Sequence, residues 1–396
     1  MKKIVIVFYP FKFRQYDWNR FEFDKLSQDT NIIIFEFINY LYPHFNSAYA
    51  KEKKNNNKII KFKNIKQFKK NLNLSIKEYS KEDILFLNFM KNDSIKSFLI
   101  NLIIKKFSIK TLSFFNPGIS NFNSSVLNQE YNLLKKFFFL IKRRKETLRK
   151  IISRFTLYFE KIFNLYPDYI LVGGNKCKNK IKNKVLKNKI NLLMGNSWDY
   201  SKILIDKKKI QYLKFKYALY LDAPGPKFIS DSHLNKEKIT ETVGHTYPSL
   251  CNFFKYLEKK KNIKVVIAPH PKTKIRDRSN LFNKRRVISG KTHDLIRNAE
   301  FIITRNSTAI TYAAYYQKPI LLIYTDEMYN SQAYRNAVPI AKSLNTELIN
   351  IDNLEKLNIK KALRIDRNKY KKYLNNFCTF KKTKKPNYVL IKELLI

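Results

Sequence analysis

His270 stands between two prolines, directly after the apolar run Val265–Ala268, and is the one histidine of five whose position suggests chemistry. Pro269 and Pro271 restrain its backbone, so the imidazole would be aimed rather than left to sample rotamers. Near neutral pH an imidazole can donate to a phosphate oxygen, and when protonated it adds a charge. With Pro271 and Lys272 it forms a candidate phosphate-binding stretch; a loop histidine without a role is the plainer alternative. A second stretch, Thr304-Arg305-Asn306-Ser307-Thr308-Ala309, lies between a strand ending at Thr304 and a helix beginning near Ala309. Ser307 or Thr308 would cap that helix, and capping alone is one account of them. The same helix start also offers free N–H groups and a positive pole to an anion without any glycine loop. Arg305 and Asn306 would add to it. His270 and Ser307 then sit at the ends of two strands of one sheet, across a crevice that fits a diphosphate.

Asp222 occupies the same kind of position after Tyr217–Leu221. A carboxylate at a strand end that faces a cleft can act as general base on a hydroxyl; an Asx turn before Pro224-Gly225-Pro226 is the alternative. Asp326 and Glu327, after the run ending at Tyr324, could touch a sugar or ribose hydroxyl or belong to a solvated loop. His233, His245 and His293 lack paired spacing and read as surface or supporting residues.

What is missing narrows the chemistry. The seven glycines, at 118, 173, 174, 195, 225, 244 and 290, form no G-x-G-x-x-G and no P-loop. There is no H-E-x-x-H and no D-x-D carboxylate pair, so neither a metal nor a cofactor is expected. Cys177, Cys251 and Cys378 are too far apart for a redox pair or zinc spacing and read as reduced thiols.

These residues need a scaffold that brings strand ends together. In the C-terminal half short β-branched or aromatic runs alternate with helical stretches, which signals a parallel sheet covered on both faces. Strands are expected at Tyr217–Leu221, Lys264–Ala268, Arg286–Ile288, Phe301–Thr304 and Pro319–Tyr324. Helices are expected at Tyr247–Lys260, Thr292–Asn298 and Ala309–Tyr316, and from Leu354 the chain should be mostly helical. The N-terminal half repeats the theme at Lys3–Phe8, Asn31–Phe37, Ile84–Leu87, Thr111–Phe115, Asp168–Val172 and Ile190–Leu193. A chain of 396 residues exceeds what one core usually organises, so two α/β domains are expected, 1–205 and 206–396, joined between Asp199 and Lys216.

Charge is the dominant feature of composition: 79 Lys and Arg against 31 Asp and Glu give a formal net charge of +48. Nucleic acid, an anionic membrane surface and acidic substrates are the partners such an excess can serve. The codon bias of an A/T-rich genome also accounts for it, because the drift toward Lys, Asn, Ile, Phe and Tyr runs along the whole sequence. Residues 133–165 combine Phe137-Phe138-Phe139-Leu140-Ile141 with Lys142-Arg143-Arg144-Lys145, read as a helix hairpin over the sheet or as an interfacial membrane contact. No run reaches the roughly 20 apolar residues of a membrane helix. The start of the chain is too short in apolar residues for a signal-peptide core. A cytoplasmic protein is expected, at most peripheral on the inner membrane.

The order and spacing of Val266-Ile-Ala-Pro-His-Pro-Lys272, Gly290-Lys-Thr-His-Asp-Leu-Ile296, Asn306-Ser-Thr-Ala-Ile310 and Lys318-Pro-Ile320 resemble a known group. They are similar to the C-terminal half of bacterial surface-polysaccharide glycosyltransferases of GT-B type. Sialyltransferases and polysialyltransferases, with His-Pro and Ser-Ser/Thr motifs, and capsule and teichoic-acid-type transferases are the members they look like. Pro167-Asp-Tyr-Ile-Leu-Val-Gly-Gly174 and Trp198-Asp-Tyr200 resemble the end of the N-terminal lobe in that group. The resemblance covers positions 165 to 325. It implies two Rossmann-like, doubly wound α/β domains facing across a cleft, an acceptor-side domain with a basic helical insertion and a donor-binding domain. It also implies a metal-independent, inverting transfer from a nucleotide-activated sugar to a surface glycan of the capsule or lipopolysaccharide kind, the acceptor being anionic or lipid-linked. His270 and the Ser307-Thr308 turn would hold the donor phosphate, and Asp222 would stand where a catalytic carboxylate does. The sialyltransferase pattern has an acidic pair followed by glycine, whereas Asp222 is followed by Ala-Pro-Gly, so a CMP-linked donor is one candidate among nucleotides. A nucleotide-sugar epimerase, a glycerophosphate transferase and a nucleic-acid-binding protein are the alternatives; no nucleic-acid motif is present.

Overall fold

The computed structural model describes residues 3–43, 58–91, 94–115, 155–156, 158–208, 210–223, 226, 240–271, 278–355 and 357–396. Lys272, His233, Gly225 and the segment Phe137–Arg149 lie outside the described residues.

Two parallel sheets account for the architecture. The first contains β1 (Lys3–Tyr9), β2 (Thr30–Glu36), β3 (Lys58–Lys61), β4 (Ile84–Asn88), β5 (Thr111–Phe115), β6 (Tyr169–Gly173) and β7 (Asn191–Gly195). Its spatial order is β3-β2-β1-β4-β5-β6-β7, a doubly wound sheet extended on one side. A parallel strand buried on both faces reads as a continuous apolar run, and β1 (Lys-Ile-Val-Ile-Val-Phe-Tyr) is such a run. Ile4, Ile6 and Phe8 pack into one core with Phe35 and Phe86, while Val5, Val7 and Tyr9 pack into another with Ile34 and Leu85.

The second sheet contains β8 (Tyr217–Leu221), β9 (Lys264–Ala268), β10 (Phe301–Thr304), β11 (Ile320–Tyr324) and β12 (Leu348–Asn350), in the order β12-β11-β10-β8-β9. Alternation again divides the strands between two cores: Leu219, Leu221, Val266, Ile302 and Leu322 face one, Tyr220, Ile267, Ile303 and Ile323 the other. Every pairing is parallel, so the carboxyl ends of all five strands line one edge.

The chain then returns to the first lobe. The helix Arg367–Phe377 contributes Tyr370, Tyr373 and Phe377 to a core that also holds Val172 and Cys177 of the first lobe and Leu219 and Ala313 of the second. The helix Asn387–Glu393 packs beside β7. Asn387 Nδ2 donates to the Asn196 carbonyl at 3.0 Å while Asn387 Oδ1 accepts from the Asn196 N–H at 2.9 Å. This crossing explains three of the glycines. A Cβ on Gly173 would lie 2.6 Å from the Ser197 nitrogen and 2.9 Å from the Cys378 oxygen, and one on Gly195 2.9 Å from Asn387 Oδ1. Gly174, at φ +90, backs against Asn376.

Most expected elements stand within a residue or two of their positions, and the departures have local causes. The run Arg286–Ile288 forms only a bridge between Val287 and Ile267, not a strand. The helix expected from Tyr247 begins at Val243 and runs to Lys261, with Pro248 inside it. The helix Gln332–Leu344 and strands β3 and β12 are additional to the elements expected from the sequence. Pro339 interrupts the pattern of the first, and the strands are only four and three residues long.

Candidate active site

The register of the second sheet fixes the site. Thr304 pairs with Leu221, and Leu221 with Ala268. The next residue of each strand is therefore Arg305, Asp222 and Pro269, on neighbouring strands about 4.8 Å apart, with His270 one step beyond. The connection leaving β8 leads to β9 on one side, and the connection leaving β10 leads to β11 on the other. The crevice of a doubly wound sheet opens at such a switch point, and Asp222 and the Arg305–Thr308 turn flank it.

Each expected site residue has a definite setting. His270 is half-buried and Pro271 exposed. Asp222 is only 6% exposed, and its N–H donates to the Ala268 carbonyl at 3.0 Å. Asn306 and Ser307 are half-buried and Thr308 is exposed. The helix after them spans Ile310–Tyr315 with Ala309 as its N-cap, so neither Ser307 nor Thr308 caps it. Instead Ser307 Oγ accepts from the Ala309 N–H at 3.2 Å, and the Ser307 N–H donates to Thr304 Oγ1 at 3.3 Å. This turn winds the backbone into the helix start without glycine.

Arg305 is 4% exposed and pairs through Nη1 with Glu241. Burial opposes its charge, but the Glu241 carboxylate bonded to it outweighs that and keeps the guanidinium charged. Tyr247, desolvated, is pushed up to about 12 and stays neutral. Arg305 thus ties the edge of the sheet to the residues that lead into the helix Val243–Lys261.

Asp326 and Glu327 serve the same end of that helix. Both Glu327 oxygens accept from Thr242, from its N–H and its hydroxyl, each at 2.7 Å. His245 lies between Glu327 Oε2 and Asp352 Oδ2, 3.5 Å from each. The bonds from Thr242 outweigh the small cost of burial and, with His245, hold the Glu327 carboxyl below its usual range. A carboxylate there also faces the positive pole of a 19-residue helix. Asp326 Oδ1 accepts from Asn350 Nδ2 at 2.7 Å, and its N–H donates to Asp352. Among the described residues no group of three or more His, Cys, Asp or Glu is arranged to hold a metal ion.

The structure also shows residues that the sequence did not single out. The helix Gln15–Arg20 follows the carboxyl end of β1, and the helix Trp198–Ile205 touches both it and the helix Ile310–Tyr315 of the second lobe. Arg20 lies over the Tyr16 ring at 5.9 Å, and its buried Nε makes no hydrogen bond. Tyr312 donates to Asp199 Oδ1 at 3.4 Å, and burial raises its pKa well above the ordinary tyrosine value. His293 is buried, stacked on Tyr312 at 4.6 Å, with its Nε2 2.8 Å from the Tyr316 hydroxyl. The stretch Trp198-Asp199-Tyr200, expected to mark the end of the N-terminal lobe, starts the helix Trp198–Ile205 that touches both lobes.

No family model matches the sequence, and no curated protein matches it. Solved structures do. A Listeria monocytogenes protein proposed to be a UDP-N-acetylglucosamine 2-epimerase aligns over 100% of this chain and 95% of its own at 11% identity, with a TM-score of 0.50. The chain has a GT-B-like fold. The kitacinnamycin glycotransferase aligns over 100% of both chains at 9% identity and a TM-score of 0.47. S. aureus MnaA with UDP aligns over 95% of this chain and 91% of its own at 13% and 0.47. A scaffold shared at such identity supports many chemistries, so the chemistry must be argued from the strand-end residues.

Proposed function

We propose that this chain is a metal-independent, inverting glycosyltransferase that moves a sugar from a nucleotide-activated donor to an anionic or lipid-linked surface glycan. The observation that carries the reading is the row Arg305, Asp222, Pro269 and His270 along the carboxyl edge of the second sheet, with Arg305 and Asp222 flanking its switch point. In this reading residues 206–396 form the donor lobe and 1–205 the acceptor lobe, with the helix Asn387–Glu393 crossing back. His270, Pro271, Lys272 and the turn Asn306-Ser307-Thr308 hold the diphosphate, and Arg305 secures that turn through Glu241. Asp222, between them, takes the proton of the acceptor hydroxyl. Arg20, on the acceptor side of the seam, is available to an anionic group. Asp326 and Glu327 support the site from below by fixing the helix Val243–Lys261, and a ribose contact from Asp326 remains compatible with its exposure.

The test is incubation with UDP-, GDP-, CDP- and CMP-linked sugars and a membrane glycan extract, with excess EDTA present. Acceptor-dependent release of free nucleotide, unchanged by EDTA, is the expected result. Conversion of the donor to its epimer without acceptor would replace this reading by an epimerase. Loss of activity in EDTA that Mg²⁺ or Mn²⁺ restores would overturn metal independence.

A further inference from the structure

The helical residues 155–156 and 158–162 are turned inside out. Phe155, Tyr158, Phe159, Ile162 and Phe163 recur at i, i+3, i+4, i+7 and i+8, the stripe that normally faces a core. Here they point outward, 59%, 63%, 39%, 55% and 47% exposed, while the polar Thr156 and Glu160 are buried at 4% and 6%. The helix Ile95–Lys106 extends the surface: Ile95 and Leu99 are exposed, and the Phe98 ring lies 6.0 Å from both Phe159 and Phe163. A contiguous apolar patch of this kind marks an interaction site.

We propose that this face docks on an anionic lipid bilayer. Lys96, Lys106 and Lys161 are exposed on the same two elements, whose one carboxylate, Glu160, is buried. Aromatic and aliphatic side chains beside a cluster of cations are the composition that settles at a charged lipid interface. A second copy of the chain fits poorly, because each copy carries a formal +48 and like charge opposes association. The surface deepens the proposed function by naming where a lipid-linked acceptor would be met, yet its test needs neither donor nor turnover, so the two readings fail separately.

The experiment is sedimentation with phosphatidylcholine vesicles, with and without phosphatidylglycerol, at low and at physiological salt. The unmodified protein should pellet with the anionic vesicles only. The triple substitution Phe155→Gln, Ile162→Gln, Ile95→Gln changes exposed side chains, so circular dichroism should show an intact fold. Its vesicle affinity should fall roughly tenfold or more at both salt concentrations. Replacing Lys96, Lys106 and Lys161 with Gln should weaken binding more than the same change at Lys381, Lys382 and Lys384. Unchanged pelleting of the apolar variant, or equal losses from the two charge variants, would overturn the proposal in favour of diffuse net charge. A dimer in solution that the apolar substitutions dissociate, with vesicle binding unaffected, would overturn it in favour of a self-interface.

Discussion

His270→Ala should lower donor-nucleotide affinity and turnover about a hundredfold while leaving the fold intact. A hydrogen bond to a charged group contributes about 1.5–3 kcal/mol, and 1.4 kcal/mol is a factor of ten, so loss of one phosphate contact reaches that size. The side chain is half-buried at a strand end and belongs to neither core of its lobe, so its removal should leave the melting temperature nearly unchanged. The loss should appear first in the dissociation constant of the free nucleotide. Full affinity in a folded variant would remove His270 from the site and return it to an ordinary loop residue.

Asp222→Asn should act differently. A positioned general base contributes about 10²–10⁴-fold, so turnover should fall by roughly a thousandfold with donor binding retained, because asparagine keeps the shape and loses the proton acceptor. Asp222 is buried between the two candidate phosphate-binding stretches, and its backbone already bonds to Ala268. Those contacts raise the other outcome that must be measured. If the variant melts earlier and loses nucleotide affinity in parallel with turnover, Asp222 is an anchor of the turn and the base is another group.

The strand ends were legible because they depend on local pattern. Tyr217–Leu221, Lys264–Ala268 and Phe301–Thr304 are short β-branched or aromatic runs cut off by Asp, Pro and Arg-Asn, so their ends, and hence Asp222, His270 and Arg305, could be placed within a residue. Their neighbours could be placed only as members of one sheet; the order β10-β8-β9, which sets Asp222 in the middle, follows from crossovers that no local pattern encodes. The partners of the site were hidden for the same reason. Glu241 meets Arg305 across 64 residues, Thr242 meets Glu327 across 85, and Asn387 meets Asn196 across 191. Arg305, expected to strengthen an anion site at the helix start, is in the fold buried and paired with Glu241. The helix start had a similar outcome: the pattern Asn-Ser-Thr-Ala promised a side-chain cap, whereas an extra turn closed by Ser307 Oγ moves the cap to Ala309.

The carboxyl edge of the second sheet should bind a nucleotide, and thermal denaturation with UDP, GDP, CDP and CMP measures this binding. A ligand that binds only the native state stabilises it by about 2.7 kcal/mol at a hundredfold excess over its dissociation constant. One of the four should raise the melting temperature of the unmodified protein by about 2–4 °C at such an excess, in EDTA, and should leave His270→Ala almost unmoved at the same concentration. No shift with any of the four, or an equal shift in both proteins, would contradict nucleotide binding at this edge.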